Sequence, residues 1–252
     1  MNLNIPDTRQ SELATRLKEG QQLVAIELAH EFGVSIDTIR RDILALEAQG
    51  KAHRVRGGAV PIAAPAAPLH VRLTDGPPPD KNLIQSAIRE IGDAPTLLVD
   101  GGQTILCVIE HLPKQQGRLV ITPSPWVAIA CQERGIAVFM LGGTLRPLGG
   151  ITTGDTTTTR IAELYADIAL IGACGIEADF GLSSDDHDEA MMKRAMHEAA
   201  NRTIIVTDKA KIGRRARYQT LTMSDIDTVI TDASSEMTKT LQASGTRVVT
   251  SQ

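Results

Sequence analysis

The segment 35–47 constrains the fold of this chain more than any other. In a helix, with about 100° between successive residues, its large apolar side chains share one side. That side is formed by Ile36, Ile39, Ile43 and Leu46. The opposite side carries Thr38, Arg41 and Ala45. Ser35 stands at the N-cap position, where its side chain can accept a hydrogen bond from the first helical turn. The pattern predicts a short helix with one buried face and one face suited to an anion.

A second helix precedes this one across a tight turn. Leu28, Ala29 and Phe32 form an apolar stripe, and Gly33 supplies the turn that ends the helix. A further helix is predicted over residues 7–18. Two short helices joined by a glycine turn, the second with outward Thr and Arg side chains, are typical of a helix-turn-helix that reads DNA.

A basic, strand-like segment follows at residues 51–59 and breaks at paired glycines. In winged variants such a hairpin lies beside the recognition helix, where its cations reach the phosphate backbone. An ordinary three-helix surface domain is the alternative, disfavoured because helix, turn and basic wing occur together and in order. The predicted DNA-binding residues are Ser35, Thr38, Arg40, Arg41, Lys51, Arg54 and Arg56.

Positive charge is concentrated at this end of the chain. The 252 residues carry a formal net charge of −4, which argues against indiscriminate coating of nucleic acid. Between residues 35 and 56, however, five Lys and Arg residues stand against three acidic ones. An acidic body with a basic tip favours one docking orientation on DNA. Three Phe, two Tyr and one Trp offer little for the base stacking that single-strand and RNA binders use.

Cysteine usage and hydropathy indicate the compartment. The three cysteines are odd in number and far apart, without a CxxC pair, which argues against a disulfide scaffold and a structural zinc site. No apolar run is long enough to span a membrane, and the first seven residues contain no cationic or hydrophobic secretion segment. We therefore expect a cytoplasmic protein without membrane association, metal or cofactor.

Composition divides the chain into domains. Six of its twelve prolines fall between residues 60 and 80, which predicts a semi-rigid linker rather than part of a core. We therefore expect a DNA-binding domain at residues 1–60, a proline-rich linker at 61–80 and a larger domain at 81–252. The segment 70–73 is compatible with a short ordered piece inside the linker.

After the linker, apolar runs alternate with helical patterns. Strands are predicted at 96–99, 119–122, 137–141, 168–171, 203–206 and 229–230, and helices at 82–91, 105–112, 126–132 and 189–200. Continuous apolar or β-branched runs are typical of strands buried on both faces of a parallel sheet. The larger domain is predicted to be α/β, with a mostly parallel sheet and helices on both faces. Four threonines at 156–159 form a biased patch without evident chemistry.

A glycine turn after the first of these strands is a candidate ligand site. Ligands of open α/β sheets lie beyond the carboxyl ends of the strands. There Asp100 is followed by two glycines, Gln103 and Thr104. Glycines let the backbone approach a ligand closely, and N–H groups at a helix start attract phosphate. A merely tight turn explains the same residues as well. A second glycine turn at 142–143 could contribute.

The N-terminal motifs resemble those of the DeoR family of bacterial transcriptional regulators. The matching residues are Ser35, Thr38, Ile39, Arg40, Arg41, Asp42, Leu46, Glu47, Gly50, Arg54, Val55, Gly57, Gly58 and Ala59, with Glu27, Leu28 and Ala29 in the preceding helix. The family often has His where Arg56 stands, and this change keeps the positive charge. The remaining chain follows the family's effector domain in order, so the resemblance extends from about Asp7 to Asp232.

That effector domain is similar to ribose-5-phosphate isomerase, glucosamine-6-phosphate deaminase and CoA transferases, in which the loop before the helix holds a sugar phosphate's phosphate. The resemblance implies an effector site formed by Asp100, Gly102, Gln103, Thr104, Gly143, Lys193 and Lys211. Either lysine could equally be a solvated surface residue. Gln103 replaces the family's usual Thr, and Pro123 its usual Asn. Both departures bear on which sugar phosphate fits.

A sugar-phosphate isomerase with a DNA-binding head is the main alternative. Isomerisation needs a carboxylate that moves a proton between adjacent carbons. Isomerases of this superfamily have acidic residues after a Gly-Ala turn, where this chain has Cys174 and Gly175. Glu177 and Asp179 follow, but nothing in the sequence places them in the pocket. We therefore expect no catalytic residues and no enzyme activity.

Three further interpretations are weaker. The acidic segment 185–189 suggests a metal site, but acids before a helix are also favoured by the dipole and by solvation. Cys174 has no histidine near it in sequence, so a small buried thiol explains it better than a nucleophile. A pure protein-interaction module has little beyond the apolar content to support it.

The sequence thus predicts a ligand-responsive transcriptional regulator. We expect a repressor of a carbohydrate-utilisation operon that is relieved by a phosphorylated sugar or polyol. Its partners would be double-stranded operator DNA, that effector and further copies of the chain, since one recognition helix reads one half-site.

Overall fold

The computed structural model describes residues 5–55, 57–62 and 67–251. Its helices are α1 (Pro6–Lys18), α2 (Ala25–Phe32), α3 (Ile36–Ala48), α4 (Leu69–Asp75), α5 (Lys81–Ile91), α6 (Gln103–His111), α7 (Pro125–Glu133), α8 (Asp155–Ala162), α9 (His187–Glu198) and α10 (Ser235–Ala243). Its strands are β1 (Leu23–Val24), β2 (Ala52–Val55), β3 (Gly58–Pro61), β4 (Thr96–Val99), β5 (Leu119–Thr122), β6 (Ala137–Met140), β7 (Thr144–Arg146), β8 (Ile151–Thr153), β9 (Ala166–Gly172), β10 (Gly175–Glu177), β11 (Gly181–Ser184), β12 (Ala200–Thr207), β13 (Tyr218–Leu221), β14 (Thr228–Thr231) and β15 (Arg247–Thr250). Arg56 of the predicted wing and residues 63–66 of the predicted linker lie outside the described residues.

The first described part, residues 5–55 and 57–62, forms a winged helix. Leu13, Leu28, Ile39 and Ile43 come together in one buried apolar cluster from α1, α2 and α3. Helix α2 ends at Gly33, which has a φ of 65°, a conformation that glycine adopts without strain. β2 and β3 form an antiparallel hairpin, and β1 pairs with the other side of β3. The predicted helix-turn-helix and its wing are confirmed.

A buried ion pair crosses the interior of this head. Arg9 Nε donates to Asp42 Oδ2 at 2.5 Å, and Gln10 Nε2 donates to Asp42 Oδ1 at 3.0 Å. Asp42 is one of the three acidic residues of the segment 35–56, but it is buried. Its charge is therefore balanced inside the head, and the exposed surface of that segment is more cationic than the sequence count implies.

The larger domain is built on a seven-stranded sheet with the order β15-β14-β12-β9-β4-β5-β6. Every strand pair in it is parallel. All six predicted strands lie in this sheet, which confirms the α/β class. The seventh strand, β15, is absent from the sequence prediction because it combines two valines with Arg247 and Thr250 and has no continuous apolar run.

Both faces of the sheet are covered by helices. Leu97 and Val99 join α5, α6 and α7 in one apolar cluster. Leu98, which points to the other face, joins Ile161 of α8 and Met196 of α9 in a second cluster. Since successive strand residues face opposite sides, a strand buried on both faces must be apolar throughout, as the sequence pattern indicated.

The segment predicted as a linker contributes to the core, contrary to the sequence interpretation. Residues 69–75 form α4, and Leu69 is 1% exposed beside Gly150. Leu73, one helical turn later, packs against the first sheet cluster. The prolines end and flank this helix but do not exclude it, because the two leucines at i and i+4 share one face.

The threonine patch 156–159 forms the centre of α8. Thr157 is buried there, and its hydroxyl donates to Gly142 O at 2.7 Å. β-branched residues are poor helix formers, so tertiary packing, which the local sequence does not reveal, decides this helix. None of the helices within the described ranges has the length and apolar character needed to cross a membrane.

We expect Asp42→Ala to destabilise the head by about 3–5 kcal/mol, because it removes the carboxylate of the buried Arg9–Asp42 ion pair. Denaturant unfolding followed by circular dichroism measures this loss. Asp37→Ala is the matched control, since Asp37 forms an exposed ion pair with Arg40 that is worth about 0–1 kcal/mol. Equal losses for the two variants would contradict the buried pair.

Candidate DNA-binding surface and effector site

The start of α3 is fixed by its predicted N-cap. Ser35 Oγ accepts a hydrogen bond from Thr38 N at 3.2 Å and lies 2.9 Å from Thr38 Oγ1. The cap satisfies one of the N–H groups that a helix start leaves without an intrahelical partner. It also orients the Thr38 hydroxyl near the N-terminal end of the helix, the end that contacts bases in helix-turn-helix proteins.

The predicted cations of the head lie at its surface. Arg41 is exposed and forms no hydrogen bond or ion pair with any described residue. Arg40 is also exposed and pairs with Asp37 at 3.0 Å. Lys51 is exposed just before β2. Because an exposed pair of this kind contributes little, neither arginine is held back from a phosphate or a base.

The wing presents Arg54 next to α3. Its backbone N–H donates to Glu47 Oε1 at 3.1 Å, and its Nε lies 3.7 Å from Glu47 Oε2. Glu47 thus ties the wing to the recognition helix while the Arg54 side chain stays exposed. The other predicted wing cation, Arg56, lies outside the described residues.

A groove of about 580 Å³ separates the head from the larger domain. Arg40, Leu44 and Arg54 line it from the head, and Asp179 and Arg215 line it from the other side. One flank of α3 therefore faces the larger domain. Thr38 and Arg41 are not among its lining residues, so the flank that carries them is turned elsewhere.

The candidate effector site is centred on Asp100, at the carboxyl end of β4. Asp100 is buried, and its Oδ2 accepts a hydrogen bond from Gly172 N at 3.0 Å. Lys193 Nζ lies 3.2 Å from the same oxygen and donates to Gly172 O at 2.9 Å. The ends of two adjacent strands, β4 and β9, are thereby joined to α9.

Lys193 is 2% exposed, so its interpretation as a solvated surface lysine is wrong. Its ammonium group also pairs with Glu189 Oε1 at 2.7 Å, one helical turn earlier on α9. Lys211, the second lysine of the resemblance, is half-buried at the end of a short 3₁₀ turn. Both lysines, with Arg217, oppose the rise in the pKa of Asp185 that burial and Glu189 cause.

The ion cluster has a definite charge preference. Burial lowers the pKa of Lys193, but the carboxylates of Asp100 and Glu189 outweigh burial and raise it. Lys193 is therefore a cation at every physiological pH. Burial raises the pKa of Asp100, and Lys193 opposes that rise. The cluster combines one cation with two carboxyl groups, so it suits hydroxyl or carbonyl groups of a ligand better than a second anion.

The start of α6, which directly follows Asp100, suits an anion. Its N-cap is Gly102, with a φ of 100°, and no side chain caps the helix. α5, α7 and α9 are capped by Asp80, Ser124 and Asp186, whereas α8, whose N-cap is Gly154, also has no side-chain cap. The first N–H groups of α6, among them that of Thr104, thus have no side-chain cap.

Two predicted effector residues, Gln103 and Gly143, make contacts within the protein that the sequence did not indicate. Gln103 Nε2 donates to Pro77 O at 3.0 Å, so its amide holds the segment before α5. Gly143 lies against β8 and α8, where an added Cβ would stand 2.1 Å from Thr157 Oγ1. Gly143 therefore shapes the second glycine turn by its lack of a side chain.

The acidic segment 185–189 behaves as a helix start. Asp186 accepts a hydrogen bond from Glu189 N at 3.0 Å. In the described ranges, one group of three potential metal ligands converges within 4.8 Å, and it is elsewhere, at Cys107, Glu110 and His111 on α6. Cys174 Sγ lies 3.8 Å from Glu189 Oε1, and burial raises the pKa of this thiol to about 11. A neutral thiol is a poor nucleophile.

Sequence comparison places this architecture in a family. Residues 9–64 match the DeoR-like helix-turn-helix domain, and residues 80–233 match the DeoR C terminal sensor domain. The chain belongs to the DeoR family of transcriptional regulators.

Curated relatives match over most of their length. An HTH-type transcriptional regulator GlpR of Haloferax volcanii is 29% identical over 97% of this chain and 98% of its own. The glycerol-3-phosphate regulon repressor of Escherichia coli is 30% identical over 82% of this chain and 83% of its own length. The structure of ribose 5-phosphate isomerase A from Neisseria gonorrhoeae aligns with 54% of this chain over 52% of its own, with a TM-score of 0.39 and 13% identity. That structural likeness is too low to support an inference about activity.

We expect Lys193→Met to destabilise the sensor domain of this DeoR-family chain by about 3–5 kcal/mol, because two carboxyl groups lose their buried cation. Denaturant unfolding followed by circular dichroism provides the measurement. Lys239→Met is the control, because Lys239 forms an exposed pair with Glu236 on α10 and its loss should cost less than about 1 kcal/mol. Unchanged stability of Lys193→Met would rule out the buried cluster.

Proposed function

We propose that this chain represses a carbohydrate-utilisation operon and releases its operator when a phosphorylated sugar or polyol binds the sensor domain. The observation that carries the proposal is the combination of two features in one chain. Arg41 is exposed on a capped recognition helix and has no partner among the described residues, and a helix start without a side-chain cap lies beside Asp100. The first suits DNA, and the second suits a phosphate. The glycerol-3-phosphate regulon repressor among the relatives supports a ligand of this class.

On DNA, α3 enters the major groove with Ser35, Thr38 and Arg41 towards the bases. Lys51, Arg54 and Arg56 of the wing, together with Arg40, meet phosphates and fix the orientation of the head. One head reads one half-site. The chain therefore acts as a homo-oligomer whose paired heads lie roughly 34–36 Å apart on one face of the duplex, or at a multiple of that distance. Operator binding places its action in the cytoplasm.

In the sensor domain, the phosphate group lies at the start of α6 and accepts hydrogen bonds from the backbone N–H groups there. The hydroxyl groups of the ligand extend towards Glu189 and Asp100. Gly149 lies between the glycine turn before α6 and the carboxylate of Glu189. A Cβ added to Gly149 would be 3.7 Å from Glu189 Oε2, and a Cβ added to Gly101 would be 3.4 Å from Gly149 O. A polyol phosphate has both a phosphate group and carbon-bound hydroxyl groups, whereas inorganic phosphate can occupy only the phosphate position.

The segment 211–215 carries the signal to the head. Lys211 belongs to the ligand side, and Gly213 N donates to Ile176 O at 2.8 Å. Gly213 also packs against the side chain of Gln22, so closely that a Cβ would stand 1.9 Å from its amide nitrogen. Arg215 N then donates to Pro61 O at 3.3 Å. A shift at the ligand side is passed to α1–β1 and to the wing strand, with a coupling of roughly 1–3 kcal/mol.

The positions and partners of the acidic side chains disfavour the isomerase alternative. Glu177 is buried, pairs with Arg215 at 2.8 Å and accepts hydrogen bonds from two backbone N–H groups. Asp179 lines the groove beside the head. Asp100 and Glu189 lie at the site, but both are engaged by Lys193. An assay for conversion of aldose phosphates into ketose phosphates separates the two functions, and turnover would favour the enzyme.

We expect Arg41→Ala to weaken operator binding by about 1–3 kcal/mol, because a side chain directed at the bases is lost. Titration of operator DNA at fixed salt measures the affinity. Arg160→Ala is the matched control, since Arg160 is an exposed arginine on α8 paired with Glu163, and it should leave affinity unchanged. Unaltered operator affinity of Arg41→Ala would show that the assigned recognition face is wrong.

We expect Thr104→Val to abolish the effector response while operator binding is retained, because it removes a hydroxyl donor from the proposed phosphate site at the start of α6 and keeps the shape of the side chain. A thermal-shift screen of sugar phosphates and glycerol 3-phosphate identifies the responsive ligand, and inorganic phosphate and glycerol serve as partial ligands. Thr240→Val, at an exposed position of α10, should respond as the unmodified chain does. Release of the operator by Thr104→Val with unchanged ligand affinity would place the phosphate elsewhere.

A further inference from the structure

The two edges of the seven-stranded sheet differ in their protection. At one edge, β15 carries Arg247, whose guanidinium forms two hydrogen bonds, of 2.6 and 2.7 Å, with Glu90. A charged, paired side chain on an edge strand opposes addition of another strand. At the other edge, β6 pairs with β5 alone among the described strands. Neither a charge, a proline nor a bulge interrupts β6.

Apolar side chains are exposed around this second edge. They are Trp126 and Ile129 of α7, Phe139 and Met140 of β6, and Leu145 of β7, each between 43% and 55% exposed. We call these five residues the edge surface. α7 packs on β6, and β7 follows β6 directly through the glycine turn, so the three elements adjoin. Half-exposed side chains of this size leave roughly 400 Å² open in total, within the range of the largest patches on monomers, which are often functional.

We infer that the edge surface is the interface through which two copies of this chain associate. This inference deepens the homo-oligomer of the proposed function by naming its surface. A two-fold interface sets each residue against the same patch of the partner, so one net charge at its centre would repel itself. Residues 135–145 and 125–132 contain no charged residue. Their flanks carry both signs, with Glu133 and Arg134 at the end of α7.

The backbone of β6 adds directional contacts. Its outer N–H and C=O groups have no partner in any strand that the structure describes, and an antiparallel copy of β6 related by a two-fold axis can satisfy them. The edge surface supplies about half of the roughly 800 Å² per partner in an interface of standard size. The strand edge and the polar flanks supply the rest. An uncharged surface offers nothing to DNA phosphates, which favours a second copy as its occupant.

Sedimentation of the full chain over a range of concentrations tests this assignment. The unmodified chain should associate, and Ile129→Glu and Phe139→Glu should each raise the dissociation constant about tenfold or more, because a carboxylate would be buried without a partner. Met237→Glu and Tyr165→Glu place the same charge at exposed apolar positions of α10 and of the loop before β9. These two controls should associate as the unmodified chain does. Equal unfolding midpoints for all variants show that the fold is retained.

Outcomes that overturn the inference differ from those that overturn the proposed function. Association of both edge variants at the unmodified strength, or a monomeric unmodified chain, rules out the edge surface as the interface. Binding of an isolated half-site by the head and the thermal shift with a phosphorylated ligand do not need this interface, and Ile129→Glu should retain both. Loss of cooperative binding to paired half-sites by Ile129→Glu, with half-site binding kept, supports the assignment.

Discussion

The ion pairs of the Lys193 ammonium group are the interactions on which the candidate ligand edge of the sensor domain depends. The ammonium group joins Asp100 at the end of β4, the backbone of Gly172 at the end of β9 and Glu189 on α9. A buried lysine is stable only with such partners, and the partners are stable only with it. The reciprocal requirement holds two strand ends and a helix in one geometry. The glycine start of α6 follows Asp100 directly and is positioned by the same cluster.

The head combines a buried ion pair with exposed arginine side chains. The buried pair of Arg9 and Asp42 joins α1 to α3 with both charges balanced. The surface of the head keeps Arg41 without a partner among the described residues. Cations used for stability are thus paired and buried, and cations suited to DNA remain exposed. The contacts of Gln22 and Pro61 with the segment 211–215 connect this surface to the ligand edge of the sheet.

The position of each element within the parallel sheet also decides how surfaces are used. The carboxyl edge receives the glycine turns and helix starts, as expected for an open α/β sheet. No such rule applies to the two outermost strands of the sheet, β15 and β6, and their sequences differ. Arg247 lies on one edge with its carboxylate partner, and Phe139 lies half-exposed on the other. The sites proposed for ligand binding, DNA binding and association with a second copy therefore lie on separate surfaces of one chain.

The sequence by itself determined the elements whose side chains repeat with a clear period. The amphipathic α3 with its Ser35 cap and the six apolar strands follow from local pattern, because one face or both faces of each must be buried. The tertiary structure alone decided the rest. Asp42 and Lys193 are hydrophilic and give no local sign of burial, since Arg9 and Asp100 lie 33 and 93 residues away from them. The pairing of Lys193 with Glu189, four residues earlier, is one that exposed helix faces also show. α8 is helical despite its threonines because Thr157 meets Gly142 across the fold. Long-range ion pairs and packing have no period along the chain, so only the folded arrangement reveals them.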